Sequence, residues 1–199
     1  MAMPLLHLTR YRGLGQFGPA YWVMLENDAH AVGSVDRVLM EGMVRLCSAT
    51  VEYLYRDFTP LRVLYQQGTA PELERWLEEI LEGACDAEAM IARIAAFCRD
   101  MAEDTTNGLD TMVLGGTEEQ IIERRSDWCT DLARVACVLC QDAGMPARLV
   151  YLADTRRAYG AHAIIEAYRG AAWGALDPTT GVVYRHPDGR PASTWDLQR

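Results

Sequence analysis

The sequence predicts an α+β protein in which helices come first and an antiparallel sheet follows. Apolar residues recur at helical spacing as far as about residue 143, and apolar and polar residues alternate after Gly144, as they do in strands. Of the 199 residues, 50% are apolar and 24% are charged, which is ordinary for a globular protein with its own core. We expect a mainly helical region over residues 1–110, packed on a core over residues 111–199 as one globular unit.

Helices are predicted at residues 34–58, 69–83 and 86–104. The second has Pro71 near its start and Gly83 at its end, and Asp86 can cap the third. Residues 104–116 are polar and rich in glycine, which indicates a linker. The sequence TEEQ at 117–120 is typical of a capping box that begins a short helix.

Strands are predicted at residues 147–153, 160–169 and 171–177, and residues 154–160 connect the first two. The first 34 residues are rich in glycine and could form strand or loop. The core is therefore one long helix followed by three strands.

Charge and composition do not favour nucleic acid or a membrane as a partner. The formal net charge of −9 and the pI of about 4.9 do not favour nucleic acid. Apolar stretches fall far short of the roughly 18 residues that a membrane span needs, and we expect no secretory signal at the N-terminus. Six cysteines in a chain that can build its own core indicate reduced thiols, so we expect a cytoplasmic protein. The oligomeric state stays open.

Cys129 lies in the first turn of the long helix of the core, which Ser126 or Asp127 can cap. The first turn of a helix has unpaired N–H groups and a positive dipole end, which together lower the pKa of a thiol. Those N–H groups can also bind a developing oxyanion. Cys129 is a candidate nucleophile, with an ordinary structural cysteine as the alternative.

Two more cysteines, Cys137 and Cys140, follow on the same helix. They lie roughly 12 and 16 Å from Cys129 along the helix axis. One zinc ion binds sulfur at about 2.3 Å, so it cannot reach Cys129 together with either of them. We predict no metal and no cofactor, and we interpret Cys137 and Cys140 as buried apolar residues.

His162 lies in the second predicted strand, where it shares a face with Ile164 and Glu166. If a two-residue turn at Arg169-Gly170 follows, His162 lies directly opposite Asp177, with Cβ atoms about 5 Å apart. The hairpin would then place a carboxylate beside an imidazole. The alternatives are a hydrogen-bonded core histidine and an aspartate that belongs to a turn.

Four motifs occur in a fixed order: DWC before the long helix, GMPAR after it, AH in the second strand and LDPT after the third. In this combination, over about residues 115–184, the sequence resembles the transglutaminase-like superfamily. The resemblance implies a papain-like fold in which the nucleophile helix packs on an antiparallel sheet. It also implies a triad: Cys129 as nucleophile, His162 as general base and acid, and Asp177 as the orienting carboxylate.

The resemblance implies acyl transfer through a thioester, without a cofactor, on a peptide, a protein or an amide-containing small molecule. Hydrolysis of a peptide or amide bond is the preferred reaction. The alternatives are amide-bond formation with an amine acceptor and a non-catalytic binding module that retains the fold. Trp128 precedes the cysteine here, whereas transglutaminases proper have tryptophan after it, which does not favour cross-linking.

Several further residues are candidates for the site. The backbone N–H of Cys129 and the side chain of Gln120 could bind the oxyanion, although the capping box is a sufficient reason for Gln120. The candidate substrate-binding residues, which could also be ordinary solvated positions, are Trp128, Arg156, Arg157 and Tyr159.

Overall fold

The computed structural model describes residues 46, 48, 51–57, 63–103, 116–154 and 159–198. The chain divides into two units, residues 1–59 with 152–161, and residues 60–151 with 162–199. In the first unit, Tyr53–Asp57 form a π-helical turn, whereas the sequence predicts an α-helix there. The rest of that predicted helix, and almost all of the predicted linker, lie outside the described residues. The predicted boundary near residue 110 stays a prediction.

The first three of the five helices described in the second unit begin at signals that the sequence contains. They are α1 (Pro71–Ile80), α2 (Ala87–Glu103), α3 (Glu118–Arg124), α4 (Cys129–Asp142) and α5 (Thr194–Leu197). The Asp86 side chain accepts a hydrogen bond from the Ala89 N–H at 2.8 Å, which confirms the predicted cap of α2. Thr117 and Gln120 form a complete capping box at α3. None of the described helices is both long and apolar enough to cross a bilayer.

The strands are β1 (Ala147–Asp154), β2 (Tyr159–Arg169), β3 (Ala172–Asp177) and β4 (Val182–Val183), and they lie in this order in one sheet. β3 pairs antiparallel with both β2 and β4. The three predicted strands are confirmed. β4 and α5 were not predicted, because elements of two and four residues are too short to show a period.

The β2–β3 hairpin turns at Gly170-Ala171, one residue later than predicted. Tyr168 pairs with Trp173 instead of Ala171, so every cross-strand partner moves by two residues. Both turn residues have positive φ, +54° at Gly170 and +63° at Ala171, as in the type I′ turns that suit two-residue hairpins. The predicted pairing of His162 directly opposite Asp177 is therefore wrong. Because strand side chains alternate with a period of two, Asp177 still lies on the predicted face.

The core forms between the helices and one face of the sheet. Its fully buried members include Ile91 and Ile94 from α2, Leu132 and Leu139 from α4, and Ile165 from β2. Leu73 and Leu77 of α1 belong to the same cluster. The fold is α+β, as predicted, with the long helix that begins at Cys129 packed among the other helices and the sheet.

A buried arginine joins the hairpin to the helices. The Arg169 guanidinium donates to the carbonyl oxygens of Gly174 at 3.0 Å and Tyr184 at 3.3 Å. Its Nε lies 3.0 Å from Glu88 at the start of α2. A Cβ at position 174 would lie 2.3 Å from the Arg169 Nη1, so only glycine leaves room for this side chain. These contacts hold β3, the strand that ends at Asp177, in one position.

Candidate active site

Cys129 is the first residue of α4, which confirms its predicted place in the first turn, and the residue is partly exposed. The capping prediction is wrong, because Trp128 is the N-cap and its side chain makes no capping hydrogen bond. Ser126 instead accepts a hydrogen bond from the Trp128 N–H at 3.3 Å. The N-terminal end of α4 is therefore not covered by its own N-cap side chain. This arrangement suits an anionic group at the helix start.

Asp131 fixes the loop that delivers Cys129. Its carboxylate is buried in the first turn of α4, where it accepts hydrogen bonds from Ser126 Oγ at 2.9 Å and Arg124 Nη2 at 2.5 Å. Arg124 ends α3, so this buried ion pair ties α3 to the start of α4. Ser126 was predicted as a cap of the helix and not as a partner of Asp131, and the pairing of Arg124 with Asp131 was not predicted. The signal in the sequence that could have indicated this pair is an arginine, Arg124, seven positions before an aspartate in the first turn of the helix, Asp131.

His162 and Asp177 are brought together, as predicted, although by a different register. His162 Nε2 lies 3.1 Å from Asp177 Oδ2. Asp177 Oδ1 accepts the Thr179 N–H at 3.0 Å, and Asp177 is only 7% exposed. In the observed register the two residues are diagonal neighbours on one face, close enough for these side chains to meet. The pair occupies Nε2, so Nδ1 is the nitrogen that remains for a thiol.

The start of α4 and the early part of β2 border one cavity. Thr130 follows Cys129 and Ala163 follows His162, and both line this cavity. Among the hydrogen bonds of the described residues, none joins the Cys129 thiol to the His162 ring. The contact between nucleophile and base therefore stays a prediction.

The other cysteines differ from Cys129 in their surroundings. Cys140 is fully buried and Cys137 is partly buried. Burial raises the pKa of Cys137 to about 12 and that of Cys140 well above its ordinary value. Burial therefore favours the protonated form of both thiols, which suits the predicted role of buried apolar residues. Within the described ranges, no three His, Cys, Asp or Glu residues are grouped to hold a metal ion.

The remaining candidates have different positions. Gln120 is exposed, and its side-chain oxygen accepts the Thr117 N–H at 3.0 Å, so the capping role is observed and the oxyanion role stays a prediction. Trp128 is partly buried directly before Cys129. Arg156 and Arg157 lie outside the described residues, and Tyr159 is the first residue of β2.

A second buried ion pair joins the GMPAR motif to β2. Arg148 of the GMPAR motif contacts Glu166 Oε2 at 2.6 Å, and Glu166 is only 1% exposed. The other carboxylate oxygen of Glu166 accepts the Thr194 N–H at 2.7 Å. The Arg148 guanidinium also lies over the Trp173 ring, 4.2 Å from its centroid. Because Glu166 shares a face of β2 with His162, this pair fixes the strand that positions the candidate base.

Comparisons with known proteins give a family and two solved structures. The model of the transglutaminase core, described as the transglutaminase-like superfamily, matches residues 74–178. The periplasmic domain of TgpA from Pseudomonas aeruginosa is 20% identical with a TM-score of 0.47, over 60% of this chain and 46% of that one. A candidate cysteine protease from Cytophaga hutchinsonii is 17% identical with a TM-score of 0.44, over 77% and 48%.

This chain thus covers about half the length of each of these structures. The comparison with curated proteins found no match. The family match begins in α1, runs through α4 and the hairpin, and ends just after Asp177. Because this match covers more than half of the 199 residues, the chain belongs to the transglutaminase-like superfamily.

Proposed function

We propose that this protein is a cysteine-dependent acyl-transfer enzyme that hydrolyses a peptide or amide bond through a thioester. The observation that carries the proposal is the contact between His162 Nε2 and Asp177 Oδ2 at 3.1 Å, together with the position of Cys129 at the start of α4. Membership of the transglutaminase-like superfamily supports the same roles. The substrate would be a peptide, a protein or an amide-containing small molecule, and the reaction needs no cofactor.

In the proposed reaction, Asp177 orients the His162 ring, and Nδ1 takes the proton of the Cys129 thiol. The thiolate attacks the carbonyl carbon, and the backbone N–H of Cys129 stabilises the oxyanion. His162 then protonates the leaving amine, which leaves a thioester on Cys129. A water molecule, deprotonated by His162, releases the acid and restores the thiol.

The rate of alkylation of Cys129 tests the proposal without a known substrate. We expect iodoacetamide to label Cys129 at pH 6 to 7 at least about tenfold faster than it labels an ordinary exposed thiol. Mass spectrometry of the digested protein follows each thiol separately, and the exposed Cys85 is the internal comparison. If Cys129 is labelled no faster than Cys85 at pH 6 to 7, the proposal is wrong.

Two histidine variants identify the base. His162→Ala should lower the alkylation rate of Cys129 at pH 6 to 7 to that of Cys85, because the imidazole that takes the proton is gone. His186→Ala is the matched control, since His186 is 29% exposed and lies 3.3 Å from Asp196, much as His162 is 28% exposed and lies 3.1 Å from Asp177. An equal effect of both substitutions would contradict the role of His162.

Amide-bond formation is the alternative, since an amine acceptor in place of water uses the same three residues. A library of peptides and simple amides, incubated with and without added primary amines, separates the two reactions. Hydrolysis predicts free acids in both incubations. Amine transfer predicts new amides only where the amine is present.

A further inference from the structure

One buried carboxylate holds together the chain before and after Cys129. Asp131 lies two residues after Cys129. Its Oδ2 accepts hydrogen bonds from Arg124 Nη2 at 2.5 Å and from Ser126 Oγ at 2.9 Å, and both donors precede Cys129 in the chain. The Asp131 side chain is only 4% exposed. Hydrogen bonds to a charged group are strong where water is largely excluded, so these contacts restrain the chain on both sides of the candidate nucleophile.

A further hydrogen bond extends this restraint to the backbone that enters α4. Ser126 is 2% exposed, and while its Oγ donates to Asp131 it accepts the N–H of Trp128, the last residue before α4. Arg125, directly before Ser126, has a φ of +55°, which is a strained conformation for a residue with a Cβ. Such a conformation persists only where the surrounding contacts hold it. The contacts of Asp131 on both sides of Arg125 therefore fix the path of the chain into α4.

Arg124 also balances a charge that would oppose the proposed chemistry. The Asp131 carboxylate lies in the same first turn of α4 as Cys129. An unbalanced carboxylate there would disfavour a thiolate, because like charges repel. The Arg124 guanidinium forms an ion pair with this carboxylate. The positive end of the α4 dipole then remains available to an anionic sulfur.

We infer that Arg124 is a positioning residue for Cys129. Acting through Asp131, it holds the chain that enters α4 and balances the negative charge in the first turn. The inference rests on the proposed function, because it takes the Cys129 thiolate as the reacting group. It adds that the reactivity of this thiol depends on an arginine at the end of a different helix, α3.

A second ion pair between α3 and α4 provides a matched control. Arg134 Nη2 lies 2.7 Å from Glu118 Oε1, and the same nitrogen donates to the Gly116 carbonyl oxygen at 2.9 Å. Within the described residues, these hydrogen bonds of Arg134 reach the start of α3 and not the segment before Cys129. If the ion pairs only join α3 to α4, breaking either one should affect Cys129 alike. If Arg124 positions the thiol, only its own pair should matter.

The rate at which iodoacetamide labels Cys129 at pH 6.5 and at pH 9 tests the inference. We expect Arg124→Gln to slow the labelling at least about tenfold at pH 6.5 but less than about threefold at pH 9, where an ordinary thiol ionises unaided. Arg124→Lys keeps the charge and should be at least about threefold faster than Arg124→Gln at pH 6.5. Arg134→Gln should stay within about twofold of wild type, and the exposed Cys85 reports the intrinsic reactivity of the reagent.

A double-mutant cycle tests whether Arg124 acts through Asp131. In an Asp131→Asn background, Arg124→Gln should change the rate at pH 6.5 by less than about twofold, because the partner through which it acts is gone. The double variant leaves no unpaired buried charge, so it keeps the question open to experiment if Arg124→Gln alone does not fold. Since it removes one charge of each sign, a rate at least about fivefold below wild type would report lost positioning. Thermal unfolding verifies that each variant folds.

The outcomes separate this inference from the proposed function. If wild-type Cys129 is highly reactive and Arg124→Gln slows it no more than Arg134→Gln does, the ion pair only joins two helices. The inference is then overturned and the proposed function stands. A double variant as reactive as wild type would overturn it in the same way. If wild-type Cys129 is labelled no faster than Cys85, the inference and the proposed function both fail.

Discussion

Each carboxylate oxygen of Asp177 has its own partner. Oδ2 lies 3.1 Å from His162 Nε2, and Oδ1 accepts the Thr179 N–H at 3.0 Å. The backbone contact fixes the carboxylate, and the carboxylate fixes the orientation and tautomer of the imidazole. When the proton of the neutral His162 ring is held at Nε2, Nδ1 can accept a proton. This tautomer is the one that a general base needs.

Asp177→Asn tests this orienting role. The amide can keep its oxygen on the Thr179 N–H while its NH₂ donates to Nε2, which moves the ring proton to Nδ1 and blocks acceptance from a thiol. We expect turnover, or the alkylation rate of Cys129 at pH 7, to fall by about 10²- to 10⁴-fold, with little change in the unfolding temperature. Asp196→Asn, in the His186 pair, should leave the alkylation rate unchanged. An unaltered rate in Asp177→Asn would contradict the assignment.

At the scale of elements, the β2–β3 turn decides which residues meet across the hairpin. Ala171 has a φ of +63°, a conformation that costs a residue with a Cβ about 1–2 kcal/mol. The sequence predicts the turn one residue earlier, because Arg169-Gly170 also contains a glycine. The buried contacts of Arg169 favour the observed turn, since they require Arg169 to lie within β2.

Ala171→Gly should therefore stabilise the protein. Glycine adopts the left-handed region freely, and its greater loss of chain entropy offsets part of the gain, so we expect a net increase of about 0.5 kcal/mol in the free energy of unfolding. Urea unfolding measures it. Ala172→Gly, on the first residue of β3, should instead lower the stability by about 0.5–1 kcal/mol. A similar loss in both variants would contradict the described turn.

At the scale of the whole molecule, one core connects the helices and the sheet, and it contains thiols. Cys98 of α2 is fully buried within it, and burial raises the pKa of Cys98 to about 12. The folded state therefore disfavours the thiolate, which the unfolded chain forms above about pH 8.5. A raised pKa of this kind gives stability that is complete below pH 8.5 and is lost as the pH rises towards 12.

Cys98→Ala should flatten the alkaline loss of stability. One such thiol contributes up to about 1.4 kcal/mol per pH unit between pH 9 and 11, so the variant should lose less stability than wild type over that range. At neutral pH it should be less stable, because it leaves a small void. Urea unfolding at pH 7.5, 9 and 10.5 gives both quantities, with Cys85→Ala at an exposed thiol as the control. If the free energy of unfolding falls equally steeply with pH in Cys98→Ala and wild type, the Cys98 thiol does not make this contribution.

Local signals in the sequence were enough to predict where α1, α2 and α3 begin and which cysteine is the candidate nucleophile. Pro71, Asp86 and the Thr117–Gln120 capping box act within a few residues, so their effect can be read without knowing the rest of the fold. Periodicity likewise identified the three longer strands and the helix that begins at Cys129. The alternation of side chains along β2 and β3 also predicted that His162 and Asp177 share a face, a result that survives an error of two residues in their register.

Only the tertiary structure decided which polar side chains lie together and where the apolar cavity lies. The pairs Arg124–Asp131, Arg148–Glu166 and Arg169–Glu88 join separate elements, and no local pattern encodes their distances. The same holds for the cavity wall, which takes residues from α4, β1 and β2. Hydrophobic periodicity indicates which face of a helix or strand is buried. Which side chains contact one another depends on how whole helices and strands pack together. The sequence thus determined the chemistry available at this site, and packing decided its neighbours.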